Sequence, residues 1–263
     1  MDIKKIFLLL TLIFATDAIC SAQNAATKPY KISYRETLGL DTTKISALLK
    51  KGLDINAGYK SGVTLLDNAI FAGNYYEVKF LLDHGANINQ QDDVGSTPLM
   101  IATENGLRND SIAELLIERG ADLNIISNRT ESALMNTLGM KGGSLNPKIF
   151  KMLIDHGADY NYTCSSCRDR SIFIWCCEYG TPEMIQFMLD KKVNINQVDQ
   201  DGVNGLMRAC LDGKTENVRF LLQQPGIDLK HKDVEGMTVV DYAYTNGDET
   251  IMKLLREAIA KLN

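Results

Sequence analysis

The chain has 263 residues, room for one large domain or two ordinary ones, and its 45% hydrophobic and 23% charged residues exclude a disordered tail. Lys plus Arg (28) against Asp plus Glu (33) leaves a net charge of −5, which argues against a nucleic-acid partner because phosphate binding needs a concentrated positive field. The 20 glycines and 5 prolines exclude a collagen-like chain, and three histidines (His84, His156, His231) supply metal and acid–base chemistry only thinly.

Residues 1–22 read as a secretory leader. Lys4 and Lys5 form a basic start, Ile6 to Ala15 an apolar run, and Cys20-Ser21-Ala22 the small residues a signal peptidase reads. The apolar run is shorter than the roughly 20 residues a bilayer span needs. Cleavage after Ala22 is expected, so that the mature chain begins at Gln23. A lipoprotein cut before Cys20 is the rival, but bulky Ile19 stands where a small residue is wanted. Cleavage removes Asp2, Lys4, Lys5 and Asp17 and leaves the charge at −5. No later segment is long and apolar enough to span a bilayer. The expectation is a periplasmic or secreted protein with no membrane insertion after leader cleavage.

From about Tyr30 the chain is self-similar. Six segments end alike: Leu53–Asn56 (LDIN), Ala86–Asn89 (ANIN), Ala121–Asn124 (ADLN), Ala158–Asn161 (ADYN), Val193–Asn196 (VNIN) and Ile227–Lys230 (IDLK). Their last positions are separated by 33, 35, 37, 35 and 34 residues. Before each lies an apolar pair: Leu48-Leu49, Leu81-Leu82, Leu115-Leu116, Leu153-Ile154, Met188-Leu189 and Leu221-Leu222; a closing unit has Leu254-Leu255. A period near 33 marks a repeat array and excludes a single compact core.

The clearest unit, Gly95–Gly106, reads GSTPLMIATENG, and it is matched in register by GVTLLDNAIFAG from Gly62, GVNGLMRACLDG from Gly202 and GMTVVDYAYTNG from Gly236. This wording resembles ankyrin-repeat proteins, and with the leader, the exported bacterial ones. The resemblance implies an all-α solenoid of helix-turn-helix units with short hairpin tips. It divides the chain into the leader (1–22), a linker and degenerate capping repeat (23–57), five repeats (58–231) and a C-terminal capping repeat (232–263). Two central units depart from the pattern: Thr130 and Asp169 replace the tip glycine, and Lys141 to Asn146 form an insertion between helices.

Each repeated residue has a physical task. The tip glycines adopt positive φ cheaply. Thr97 caps a first helix and Pro98 starts it without wasting an N–H. Ala69, Ala102, Cys176, Ala209 and Ala243 let first helices approach closely. The apolar pairs face inward from the second helices, and Gly85, Gly120 and Gly157 end those helices. Asn56, Asn89, Asn124, Asn161 and Asn196 are expected to form a column bonding loop backbone.

No catalytic constellation is legible, so the chain is read as not an enzyme, with no cofactor and no metal. His84 and His156 share a repeat position at a helix C-terminus, where imidazole meets the dipole. Asp199-Gln200-Asp201-Gly202 lacks the further ligands of a calcium loop and is read as a hairpin tip. Cleavage leaves five cysteines. Cys176, Cys177 and Cys210 fall at core positions of adjacent first helices about 8–10 Å apart, too far for an unstrained bridge, and are expected as buried thiols. Cys164 and Cys167 lie in the loop before a first helix and can close a short disulfide. A zinc site joining them to Cys176 or Cys177 is the minor alternative, with a spacing that fits no standard site.

In ankyrin-like solenoids the hairpin tips and first helices line one concave surface. The resemblance places a partner-binding patch on Arg129, Met140, Arg168, Arg170, Trp175, Tyr179 and Leu211, positive and aromatic on an acidic protein. Trp175, the only tryptophan, either faces a partner or packs between helices. The expected function is non-enzymatic binding of a protein partner by a monomer, inhibitory or immunity-like, or accessory to oxidative defence. A secreted effector engaging host proteins is the alternative.

Overall fold

The computed structural model describes residues 40–104, 110–139 and 145–261. The leader, Met140 and most of the Lys141–Asn146 insertion therefore lie outside the described residues. Among the described residues one helix, α1 (Thr42–Lys50), precedes six helix pairs: α2 (Leu65–Phe71) with α3 (Tyr75–Asp83), α4 (Pro98–Thr103) with α5 (Asp110–Glu118), α6 (Ala133–Asn136) with α7 (Pro147–Asp155), α8 (Ile172–Tyr179) with α9 (Pro182–Asp190), α10 (Gly205–Leu211) with α11 (Thr215–Leu221), and α12 (Val239–Asn246) with α13 (Glu249–Ala260). The even-numbered first helices stack in one row and the odd-numbered second helices in another. The second-helix row runs unbroken from α3 to α13, and the first-helix row has its weakest joint between α6 and α8.

Local sequence sets the helix ends. Thr97 accepts from the Met100 N–H, with Pro98 in the first turn, and Ser132, Ser171 and Asn204 cap α6, α8 and α10 in the same way. Thr64 with Asp67, and Thr238 with Asp241, form reciprocal capping boxes. His84 and His156 close α3 and α7, each placing Nδ1 2.8 Å from a carbonyl one turn back, on Phe80 and Met152. Each carbonyl also accepts the histidine's own backbone N–H, so the imidazole adds a second bond at the helix C-terminus.

The core follows the repeat. Leu81, Leu116, Leu153, Met188, Leu221 and Leu255 are essentially fully buried, each contributing about 1.5–3 kcal/mol by burial. The apolar pairs do not all face inward together. Leu82, Leu189 and Leu222 are only partly buried against the core, as are both Leu48 and Leu49. The reason is geometric: adjacent helical residues point about 100° apart, so in α3, α9 and α11 one of the pair reaches the seam while the other flanks it, whereas in α5 and α7 both Leu115-Leu116 and Leu153-Ile154 are buried. At α1 no full unit lies on the N-terminal side among the described residues.

The asparagine column clamps one unit to the next. Asn56 Oδ1 accepts from Asn87 N (2.7 Å), Asn89 from Asp122 N (2.9 Å), Asn124 from Asp159 N (2.8 Å) and Asn196 from Asp228 N (3.0 Å). Their amide groups donate onward to helix-ending glycines: Asn56 to Gly85 O, Asn124 to Gly157 O and Asn196 to Gly226 O. Asn161 makes no such bond among those resolved, and Lys192, at φ 66°, stands where the other units carry glycine.

Candidate functional site

The tip and first-helix face is built from hairpins whose closure repeats. Asp92 Oδ1 accepts from Val94 N (3.0 Å) and Ser96 N (2.7 Å). Asp199 does the same for Asp201 N (3.1 Å) and Val203 N (2.9 Å), and Asp233 for Glu235 N (2.9 Å) and Met237 N (2.8 Å). Ser127 Oγ stands in with two bonds of 3.2 Å, from Arg129 N and Glu131 N. Successive tips are then stitched through backbone: Asp93 N to Ser61 O, Asn128 N to Val94 O, Gln200 N to Arg168 O and Val234 N to Asp201 O, all within 2.8–3.1 Å. This stitching is why glycine is needed. A Cβ on Gly62 would sit 2.7 Å from Asp93 N, and one on Gly95 2.8 Å from Asn128 N. Thr130 holds the same left-handed conformation (φ 61°) with a side chain. Its following tip meets it through side chains: Thr130 Oγ1 contacts Ser166 Oγ, and Tyr162 donates to Thr130 O.

The tip of the fifth unit, counting the N-terminal capping unit as the first and numbering each tip by its unit, is different. A two-residue antiparallel ladder pairs Thr163 with Ser171 and Cys164 with Arg170, and the Asp169 N–H donates to Cys164 O, five residues back. In the other tips glycine donates to a carbonyl three residues back, as Gly95 does to Asp92. The fifth tip is thus two residues longer, and Cys164 takes the position of the clamping Asp. The structure joins Cys164 to Cys167, with Cα atoms 5.0 Å apart. Arg168 and Asp169 both take left-handed backbone, φ 62° and 56°.

That replacement reorganises the face. Trp175, Arg208 and Tyr242 each lie six residues beyond their tip residues Asp169, Gly202 and Gly236. Arg208 Nη2 donates to Asp199 Oδ2 at 2.8 Å, and Tyr242 OH donates to Asp233 Oδ2 at 2.7 Å. Trp175 has no carboxylate at the corresponding place, and its indole N–H is buried without a partner. Arg170 covers its ring at 4.1 Å, donates to Glu178 Oε2 at 2.9 Å and lies 3.9 Å from the fully buried Asp199 carboxylate. Burial pushes the Glu178 carboxyl up, against the pull of Arg170. Burial, with the Glu178 charge second, pushes the Tyr179 phenol up to about 12.

The expected patch residues are only partly brought together. Arg170, Trp175 and Tyr179 form one cluster, with Trp175 and Tyr179 ring centres 5.8 Å apart. Arg168 is exposed and paired with Asp201 Oδ2 of the next tip at 2.5 Å. Arg129 is exposed on the fourth tip. Leu211 is partly buried against the core, its carbonyl accepting from Asn246 Nδ2. Met140 lies outside the described residues. The positive field read from Arg168 and Arg170 is answered internally by Asp201, Glu178 and Asp199. Trp175 both packs within the chain and retains partial exposure.

Cys176, Cys177 and Cys210 are free and buried; burial pushes the Cys210 thiol up to about 12 and the other two further in the same direction. Among the described residues no group of three or more His, Cys, Asp or Glu is placed to hold a metal ion. No described helix is long and apolar enough to cross a membrane.

A family profile described as ankyrin repeats (3 copies) matches residues 38–127, 78–164 and 173–263. The chain belongs to the ankyrin repeat family. It is similar to the solved structure of an ankyrin repeat domain from Acinetobacter baumannii AYE, with 30% identity and TM-score 0.61, covering 73% of this chain and 96% of that one. It is also similar to a chain in the structure of a predatory endopeptidase from Bdellovibrio bacteriovorus in complex with an immunity protein, with 25% identity and TM-score 0.62, covering 75% of this chain and 100% of that one. Among curated proteins it is 26% identical over 196 residues to the human transient receptor potential cation channel subfamily A member 1, a match spanning 73% of this chain but 17% of that channel. Ankyrin repeats mediate protein–protein interaction, and ankyrin domains are in general interaction modules without catalytic activity.

Proposed function

We propose that this ankyrin protein is an exported, non-enzymatic module that binds a protein partner on its tip and first-helix face, in the manner of an immunity or inhibitory protein. The observation that carries the reading is where apolar surface is left open. Of the six large exposed apolar side chains among the described residues, Phe71, Val94, Val198, Val234 and Tyr244 belong to tips or first helices, and only Tyr76 belongs to a second helix. Exposed apolar groups collected on one side of a solenoid are what a protein partner covers. The likeness to a chain from an endopeptidase–immunity complex supports the inhibitory form of the reading. Export rests on the leader-like wording of residues 1–22.

Photo-crosslinking tests it. A benzophenone side chain at Val234 or Tyr179 is expected to trap a protein in the exported fraction, and one at Lys253 on α13 to trap none. Equal trapping at all three positions, or none at either face position, overturns the assignment. Protein that retains Met1 and stays inside the cell overturns export.

A further inference from the structure

We propose that Cys164–Cys167 is a reversible thiol–disulfide exchange site, reduced by external dithiols through attack on Cys167, and that its opening unclasps Arg170 from Trp175. The two sulfurs are inequivalent. Cys164 is fully buried, whereas Cys167 is half-buried on the extended tip, so a nucleophile reaches Cys167 first. The buried sulfur sits beside two hydroxyls, Thr130 Oγ1 at 3.3 Å and Ser166 Oγ at 3.4 Å, which also contact each other. With the bridge closed the Thr130 hydroxyl donates to Arg129 O at 2.6 Å, but a hydroxyl proton can rotate to suit a stronger acceptor, so both hydroxyls can turn to a sulfur that becomes anionic.

The step balances as follows. A thiolate of the dithiol forms a bond to Cys167 Sγ as the Cys164–Cys167 bond breaks. The electron pair leaves on Cys164 Sγ, which takes hydrogen bonds from Thr130 and Ser166 and then a proton from water. The second thiol of the reductant attacks the mixed disulfide, closes its own disulfide and releases Cys167 as a thiolate that is protonated in turn. Two electrons and two protons pass to the protein, and the dithiol is oxidised. A better-stabilised leaving thiolate departs faster.

The consequence follows from register. Cys164 pairs directly with Arg170 in the ladder, and no carboxylate clamps this tip as Asp92, Asp199 and Asp233 clamp theirs. With the bridge open, the ladder keeps only its backbone bonds to fix its register, so Arg170 is left over Trp175 only by its pairs with Glu178 and Asp199, and Arg168 only by Asp201 and its carbonyl's bond from Gln200 N. Cys176, Cys177 and Cys210 take no part, being buried thiols whose ionisation burial opposes.

The full folded chain is treated with dithiothreitol while the emission of Trp175, the sole tryptophan, is followed and free thiols are alkylated and mapped. The emission is expected to shift to the red at the rate at which Cys164 and Cys167 become alkylated, with Cys176, Cys177 and Cys210 unlabelled. With glutathione as a monothiol trap, the mixed disulfide is expected on Cys167. Ser166→Ala and Thr130→Ala together are expected to slow reduction about fivefold, and Thr130→Ser to behave as wild type. Ser166→Ala alone, on the exposed tip, gives the same reading at smaller size if the double variant disturbs the tip. Glutathione mapped to Cys164, unchanged emission after both cysteines are alkylated, or undiminished reduction rates in both alanine variants overturn the proposal.

Discussion

The sixth and fifth tips close the same hairpin by different chemistry. Asp199 closes its tip with two backbone N–H bonds and keeps a second carboxylate oxygen for Arg208. Cys164 closes its tip with a covalent bond and has no acceptor to spare. The first-helix position that reads the tip therefore carries Arg in one unit and Trp in the other, and Arg170 turns to Glu178. One replaced residue in a repeat thus changes two others, because the Asp199 and Asp233 carboxylates each serve the backbone and the first helix at once.

The largest way to break this comparison is Asp199→Ala. It leaves Arg208 without its buried counter-charge and Arg170 with Glu178 alone, and a loss of about 3–5 kcal/mol is expected from urea unfolding. The matching Asp92→Ala removes only backbone bonds and should cost about 1 kcal/mol. Equal losses would show that the second role of Asp199 contributes nothing. The core common to both regions is probed by Leu116→Ala in α5, fully buried, with an expected loss of about 2–5 kcal/mol.

Much of the solenoid is legible in the sequence because it is set by single residues acting locally. The caps at Thr97 and Pro98 and the helix-ending glycines each follow from one residue and its own backbone, and the period and the asparagine column follow from the same residue recurring from unit to unit, one unit's Asn meeting the next unit's backbone. The site is less legible. Arg168 reads as free charge because its partner Asp201 lies 33 residues on, and Arg170 does so although Glu178 is only eight residues on, because periodicity cannot show which side chains turn toward each other. One signal was present: the unit carrying CSSCRD has two residues more than its neighbours before the first helix and no Asp at the closing position, which marks a different closure. The half-in, half-out placement of the apolar pairs depends on helix rotation within the stack, which sequence pattern alone leaves open.

Removing the covalent closure has a smaller expected effect than removing Asp199. Cys164→Ser with Cys167→Ser opens a very short loop, and the chain-entropy relation gives about 2 kcal/mol. A loss of 4 kcal/mol or more by urea unfolding would mean that the bridge supports neighbouring units as well as its own tip. Smaller still is Thr130→Gly. Thr130 holds left-handed backbone with a branched side chain, a strain of about 1–2 kcal/mol, partly offset by the contacts its hydroxyl makes. A gain of about 1 kcal/mol is expected, and a loss would show that the hydroxyl outweighs the strain.

The smallest difference is one of pH. Burial raises the Asp233 carboxyl, but the Tyr242 hydroxyl and the N–H groups of Met237 and Glu235 outweigh it and hold the group below its ordinary value. A carboxylate lowered by folding stabilises the fold fully above its unfolded value, about 3.9, and that contribution is lost as pH falls through the lowered folded value. The disulfide at the fifth tip does not titrate in this range. Lowering the pH from 6 to 3 is therefore expected to reduce the amide protection factors, exchange measured against the unstructured rate at the same pH, at residues 233–237 while residues 164–170 keep theirs. In Asp233→Asn the acid-induced change at 233–237 should largely vanish, because no carboxylate remains there to protonate. If both tips instead lose protection together, acid acts on the solenoid as a whole and the two closures do not differ in the way their chemistry requires.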